Sequence, residues 1–198
     1  GMYLRSGDGH TLTLKDIAFS DFKHFKTTDR NSFLASHQNG NLVLDNVRLS
    51  SISNDDAMPM WGAVIGISGV LNFDGADYTG AMINRKSFVL SGENTLTGGL
   101  DNIGTTHIVT GARLSVSDGI NNILDIVNDG VLEITGGNSF NGGTITGGVK
   151  FGGTASLENS GTIDSIEDSE FTGSRQAALV NSGKIERLSN VVVNGLFE

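Results

Sequence analysis

The chain has 198 residues, a formal net charge of −9 and a pI near 4.8, and its 13 lysines and arginines are scattered, which excludes the clustered basic footprint of a nucleic-acid binder. No apolar run approaches the roughly 18 residues needed to cross a bilayer, and zero cysteines exclude disulfides, thiolate metal sites and cysteine nucleophiles. Apolar residues at 37%, with 28 glycines and 1 proline, suffice for a packed core and fit neither collagen nor a proline-rich linker.

From the N-terminus, Gly1 and Met2 followed by Arg5 and Asp8 lack the basic-then-apolar order of a signal peptide. The chain is expected to be a single domain over residues 1–198, a fragment of a larger protein. Short alternating stretches follow, closed by Gly, Asn, Asp or Ser: Leu12, Leu14, Ile17 and Phe19, then Leu42, Leu44, Val47 and Leu49. Alternation at period two predicts strands, and the polar closures predict turns. The pattern returns at Leu71 and Phe73, at Phe88 and Leu90, at Leu132 and Ile134, and through the last forty residues. Apolar residues at helical spacing are missing, although 29–37 and 176–180 each have room for one helical turn.

Two stretches nearly repeat: SGENTLTGG at 91–99 and TGGNSFNGG at 135–143, offset by 44 residues. Further on, ASLENSGTIDSI from Ala155 aligns with AALVNSGKIERL from Ala177 at an offset of 22, pairing Leu157 with Leu179, Asn159 with Asn181, Gly161 with Gly183 and Ile163 with Ile185. The two offsets are commensurate, so 44 reads as two laps of a coil about 22 residues round. Earlier spacings are looser: 30 from Leu12 to Leu42, 29 to Leu71 and 17 to Phe88, as loops of unequal length at the corners would produce.

A repeat this short cannot bury an apolar face alone, so each lap must lie on the next, strand on strand, about 4.8 Å away. The expected fold is all-β: a parallel β-helix, a single-stranded solenoid of about nine laps, roughly 40 Å long, with longer N-terminal turns. Leu157 then stacks on Leu179 and Ile163 on Ile185 inside, while Asn159 stacks on Asn181 at a corner where amides bond along the column. Gly161 and Gly183 are expected to take the positive φ of a sharp corner.

Candidate chemistry is sparse. The histidines, His10, His24, His37 and His107, fall in no metalloprotease or nucleophile-elbow pattern and read as surface or corner residues. Asp164, Glu167, Asp168 and Glu170 form the densest acidic group, but Ile163, Ile166 and Phe171 are interleaved with it. The group therefore reads as outward charge alternating with core, with weak calcium binding and acid–base catalysis as lesser alternatives. Asp55 and Asp56 precede Met58, Met60 and Trp61 beside the only proline, which reads first as packing and second as an exposed ligand contact. No catalytic, cofactor-binding or metal-ligating residue is singled out, no cofactor is expected, and the chain is not read as an enzyme.

SGENTLTGGLDNIG and TGGNSFNGGTITGG resemble the passenger-associated repeat of bacterial autotransporters: a leucine, Thr or Ser, Gly, Asn, Thr, an aromatic, then Gly-Gly-Thr and an apolar pair. Leu90, Ser91, Gly92, Asn94, Thr95, Thr97, Gly98 and Gly99 fit the first copy. Ile134, Thr135, Gly136, Asn138, Ser139, Phe140, Gly142, Gly143, Thr144 and Ile145 fit the second. Leu96 replaces the aromatic and Leu100 the following Thr, and the copies cover about a quarter of the chain. The resemblance implies a right-handed coil displayed outside a Gram-negative cell or secreted from it, delivered by a C-terminal barrel of which residues 191–198 carry no membrane-strand series. It further implies adhesion or cell aggregation through a host matrix protein, a glycan or self-association, with no nucleic acid bound and no membrane insertion by this segment. An inert stalk presenting another module, or a polysaccharide lyase or hydrolase on the same fold, are the alternatives.

Overall fold

In the computed structural model, residues 9–17, 82–85, 87–172 and 178–194 are described in full, together with the strand backbone of 4–6, 18–20, 34–36, 41–45, 48–50, 65–67, 70–74 and 77–78. Among them there are only strands, and every strand pairing is parallel. Each lap carries three strand segments. The first face is a nine-stranded sheet whose strands follow one another in chain order, from Leu4–Ser6 through Met82–Asn84, Leu100–Asn102, Ile120–Asn122, Asn138–Asn141 and Ser156–Asn159 to Leu179–Asn181. The second face runs from Thr11–Lys15 to Asp125–Asn128, and the third from Ala18–Ser20 to Val131–Ile134. In the last laps these two faces merge into the long strands Thr144–Phe151, Thr162–Phe171 and Lys184–Val193. The chain is a parallel β-solenoid.

The lap length follows from register. Leu12 lies against Leu42, Leu42 against Leu71 and Leu71 against Phe88, so the first spacings of 30, 29 and 17 are true lap lengths. The surplus of the two long laps falls between third and first faces, at residues 21–33 and 51–64, outside the described residues. The last lap spans 22 residues, with Leu157 on Leu179, Asn159 on Asn181 and Ile163 on Ile185. The laps between are shorter, 20 residues from Glu93 to Arg113 and 18 from Arg113 to Val131, so the middle laps fall short of 22 residues while the two long N-terminal laps exceed it.

That shortening corrects the reading of the 44-residue offset. Two laps from Asn94 lead through Leu114 to Leu132, and Asn138 lies six residues beyond. The copies sit on different faces. Asn94 is the second residue of the third-face strand Glu93–Leu96, buried, its amide donating to the carbonyls of Ser91 and Gly92. Asn138 opens a first-face strand, exposed, and its carbonyl accepts from the Ser156 hydroxyl. Of the two places suggested for a helical turn, the described parts are the strands Leu34–Ser36 and Leu179–Asn181, held in register by neighbouring laps, and residues 29–33, 37 and 176–177 lie outside the described residues.

Alternation decides which side chains fill the interior. Phe88, Thr106, Ile126, Ile145 and Ile163 stack in one fully buried column, and Leu114, Leu132, Val149 and Ile166 in another. Phe151 and Phe171 stack at 5.0 Å between ring centres, on the third face of the last laps. Such columns extend the core along the axis without limit, so stability accumulates lap by lap.

Candidate functional site

The most ordered polar feature lies inside. Six asparagines, Asn84, Asn102, Asn122, Asn141, Asn159 and Asn181, each end a first-face strand at the corner to the second face. Each Nδ2 donates to the Oδ1 of the next asparagine, at 2.7, 2.8, 2.7, 2.7 and 2.7 Å in order. The second amide proton goes to the strand that follows in the next lap: Asn84 to the Thr105 carbonyl, Asn102 to that of Asp125, Asn122 to Thr144, Asn141 to Thr162 and Asn159 to Lys184. The first five are fully buried, which is tolerable only because donor and acceptor are both used. This column is internal scaffolding. Only its last rung, Asn159 to Asn181, was visible in the sequence, through the repeated NSG; after the other asparagines stand Arg85, Ile103, Ile123 and Gly142, so local similarity hides them.

The corner glycines serve the same turn in another way than expected. Gly161 and Gly183 do not have positive φ; among the described residues the glycines that do are Gly9, Gly92, Gly111, Gly119, Gly137, Gly147 and Gly153. A Cβ on Gly161 would lie 2.0 Å from the Gly143 carbonyl oxygen, and one on Gly183 would lie 2.2 Å from that of Gly161. Close approach of successive backbones demands glycine here, not dihedral freedom.

Outside, charge alternates along the third face. Glu93 faces Arg113 in register, Arg113 pairs with Glu133, Glu133 faces Lys150, and Lys150 reaches Asp168 at 3.1 Å. Asp168 also accepts from Asn190 at 3.0 Å, and both residues hold positive φ, 44° and 53°, in successive laps. The Asn190 bond first, and then the Lys150 ammonium, hold the Asp168 carboxyl below its ordinary range.

The acidic group of 164–170 is placed as its interleaving with apolar residues implied. Ile163, Ile166 and Phe171 are fully buried, while Asp164 and Glu167 are half-buried and Asp168 and Glu170 exposed. Every one of the four carboxylates has a donor: the Gly147 amide on Asp164, Ser165 and Arg187 on Glu167, Lys150 and Asn190 on Asp168, and Asn194 on Glu170. Among the described residues no group of three or more His, Asp and Glu is arranged to hold a metal ion. His107 lies on the outside of the second face against Asp129, Nε2 to Oδ2 2.9 Å, and His10 is exposed. His24, His37, Asp55, Asp56, Met58, Met60 and Trp61 lie outside the described residues.

A small apolar patch escapes the alternation. Ile103, Ile123 and Leu124 are exposed at the corner that follows the asparagine column, stacked through the bond from the Ile123 amide to the Asn102 carbonyl. No protein-family model, curated protein or solved structure matches this chain. The fold is compatible with a non-enzymatic role, and the described surface offers repeated columns of side chains.

Proposed function

We propose that the chain is a segment of a surface-displayed or secreted bacterial passenger of the autotransporter kind, acting in adhesion or cell aggregation. The observation that carries this reading is the stacked exterior. Side chains of one kind of position recur about every 4.8 Å along the axis, and the carboxylates among them are bound to donors of their own or neighbouring laps. A surface of this kind engages extended partners through many weak contacts in parallel. The resemblance of residues 90–99 and 134–145 to passenger repeats supports the placement outside a Gram-negative cell.

The inert-stalk reading draws on the same self-satisfied surface, since groups already bonded internally have little left for a ligand. Binding of the purified chain to an array of glycans and extracellular-matrix proteins separates the readings. Saturable binding is the expected result. No binding at any spot moves the conclusion to the stalk, and turnover of an arrayed polysaccharide replaces both with an enzyme.

A further inference from the structure

The apolar patch at the corner after the asparagine column is not something the turn requires. The same corner position holds Arg85, Ile103, Ile123, Gly142, Ser160 and Ser182 in successive laps, each following a column asparagine. Arginine, glycine and serine all complete the turn, yet Ile103 and Ile123 are each 43% exposed. Leu124, 50% exposed, stands where later laps have Gly143, Gly161 and Gly183.

Phe140 extends the patch. It faces outward on the first face, half-buried, and a Cβ on Gly142 would lie 2.9 Å from its Cε1. The ring therefore leans over the place that the Ile123 side chain fills one lap earlier. Ile103, Ile123 and Phe140 make an apolar strip across three laps, about 10 Å along the axis, with Leu124 beside it. Clustered exposed apolar side chains within a polar rim mark an interaction site, whereas single scattered ones do not.

The rim decides the kind of partner. Asp125 follows Leu124 on the second-face side, and on the first-face side the outward column runs Asp101, Asn121, Phe140, Glu158. Asp101 accepts a bond from Asn121 at 3.3 Å. Asp125 and Glu158 are exposed and, among the described residues, have no donor, whereas the carboxylates of 164–170 are all bound. Arg85, one lap before Ile103, closes the strip at its N-terminal end.

We propose that this corner docks a basic protein segment that carries apolar side chains between lysines or arginines. Its apolar side chains cover Ile103, Ile123, Leu124 and Phe140, while its cations meet Asp101, Asp125 and Glu158. A second copy of the chain is a poor occupant, because Arg113, Lys150, Lys184 and Arg187 are already paired with carboxylates of their own chain. Anionic polymers and lipids meet like charge here. The inference rests on the adhesive reading, to which it adds the chemistry of the partner.

The test is titration of the purified chain into a fluorescently labelled peptide of alternating lysine and leucine, followed by anisotropy. Saturable binding is expected, weakened about tenfold by Ile123→Ser/Leu124→Ser and about tenfold by Asp125→Asn/Glu158→Gln. The first variant removes apolar contact at two exposed positions, and the second alters charge with shape kept. Asp118→Asn/Glu170→Gln removes the same charge from exposed positions at the other end of the first face and on the third face, and is expected to bind like the wild type. A peptide with serine for leucine is expected to bind as weakly as the patch variants do. Absence of saturable binding overturns the proposal, as do equal binding by all variants and a loss in the control as large as in the patch variants. Binding of a neutral glycan that only the patch variants lose, without binding of the peptide, overturns it in favour of a sugar site. In each of these cases the glycan and matrix array judges the adhesive reading separately: a bound spot keeps it, and an empty array removes it too.

Discussion

Asn122 and Asn181 belong to one column, yet removing them has different costs. Replacing Asn122 by Leu leaves the buried Asn102 amide without its acceptor and the buried Asn141 oxygen without its donor. Each orphaned group costs about 1–3 kcal/mol, so Asn122→Leu is expected to lose about 2–6 kcal/mol. Asn181→Leu orphans one amide, that of Asn159, and the loss is expected to be about half as large. Urea denaturation followed by circular dichroism compares the two, and equal losses would show that the column does not act through its buried rungs. Asp168 answers to pH instead. Its folded pKa lies below the ordinary 3.8 because Asn190 and Lys150 bind the ionised form, so its contribution is complete above that value and disappears as pH falls through the lower, folded one. Asn190→Gly, which keeps the positive φ, and Lys150→Met are each expected to raise the titration midpoint of Asp168 measured by carboxyl NMR. A midpoint unmoved in both variants would remove the assigned cause.

At the level of the strand and its corner, the determinant is how closely one lap approaches the next. Gly143, Gly161 and Gly183 stack with carbonyl oxygens in the space where a Cβ would go. Their neighbours on both sides are hydrogen-bonded, since Thr162 donates to the Gly143 carbonyl and Lys184 to that of Gly161, so the corner has little room to relax. Gly161→Ala is expected to cost about 2–3 kcal/mol, as overpacking does. Gly152→Ala, where nothing lies within 4 Å of the added carbon and φ is not positive, is expected to stay within about 1 kcal/mol of wild type and to lean toward stabilisation. Thermal unfolding of the two variants decides, and a Gly161→Ala protein as stable as wild type would mean that the laps part easily. Glycine in a turn signals that a side chain is unwelcome, but the sequence does not distinguish an unusual φ from a backbone pressed against it. For that reason the corner was legible and its cause was not.

Over the whole molecule, the coil was legible because alternation is local and because NSG happens to recur in the last two laps. The phase of the middle laps was not, since corners of unequal length uncouple sequence offset from spatial register: SGENTLTGG and TGGNSFNGG look like one position and occupy two faces. The outer surface is legible only in part, because a chain of opposite charges such as Glu93, Arg113, Glu133, Lys150 and Asp168, which crosses between neighbouring positions of the laps, is assembled from residues that no single stretch brings together. The asparagine column has one more consequence, for how such a chain changes length over generations. Its rungs are 18, 20, 19, 18 and 22 residues apart, and every rung still closes at 2.7–2.8 Å. A gain or loss of a few residues at a corner is thus neutral to the column, and duplication of a complete lap adds a rung that finds both partners at once. Half a lap supplies no asparagine at the corner and no matching strand. Inherited growth of this protein is therefore quantised: drift is absorbed in the corners, and length is added one full circuit at a time.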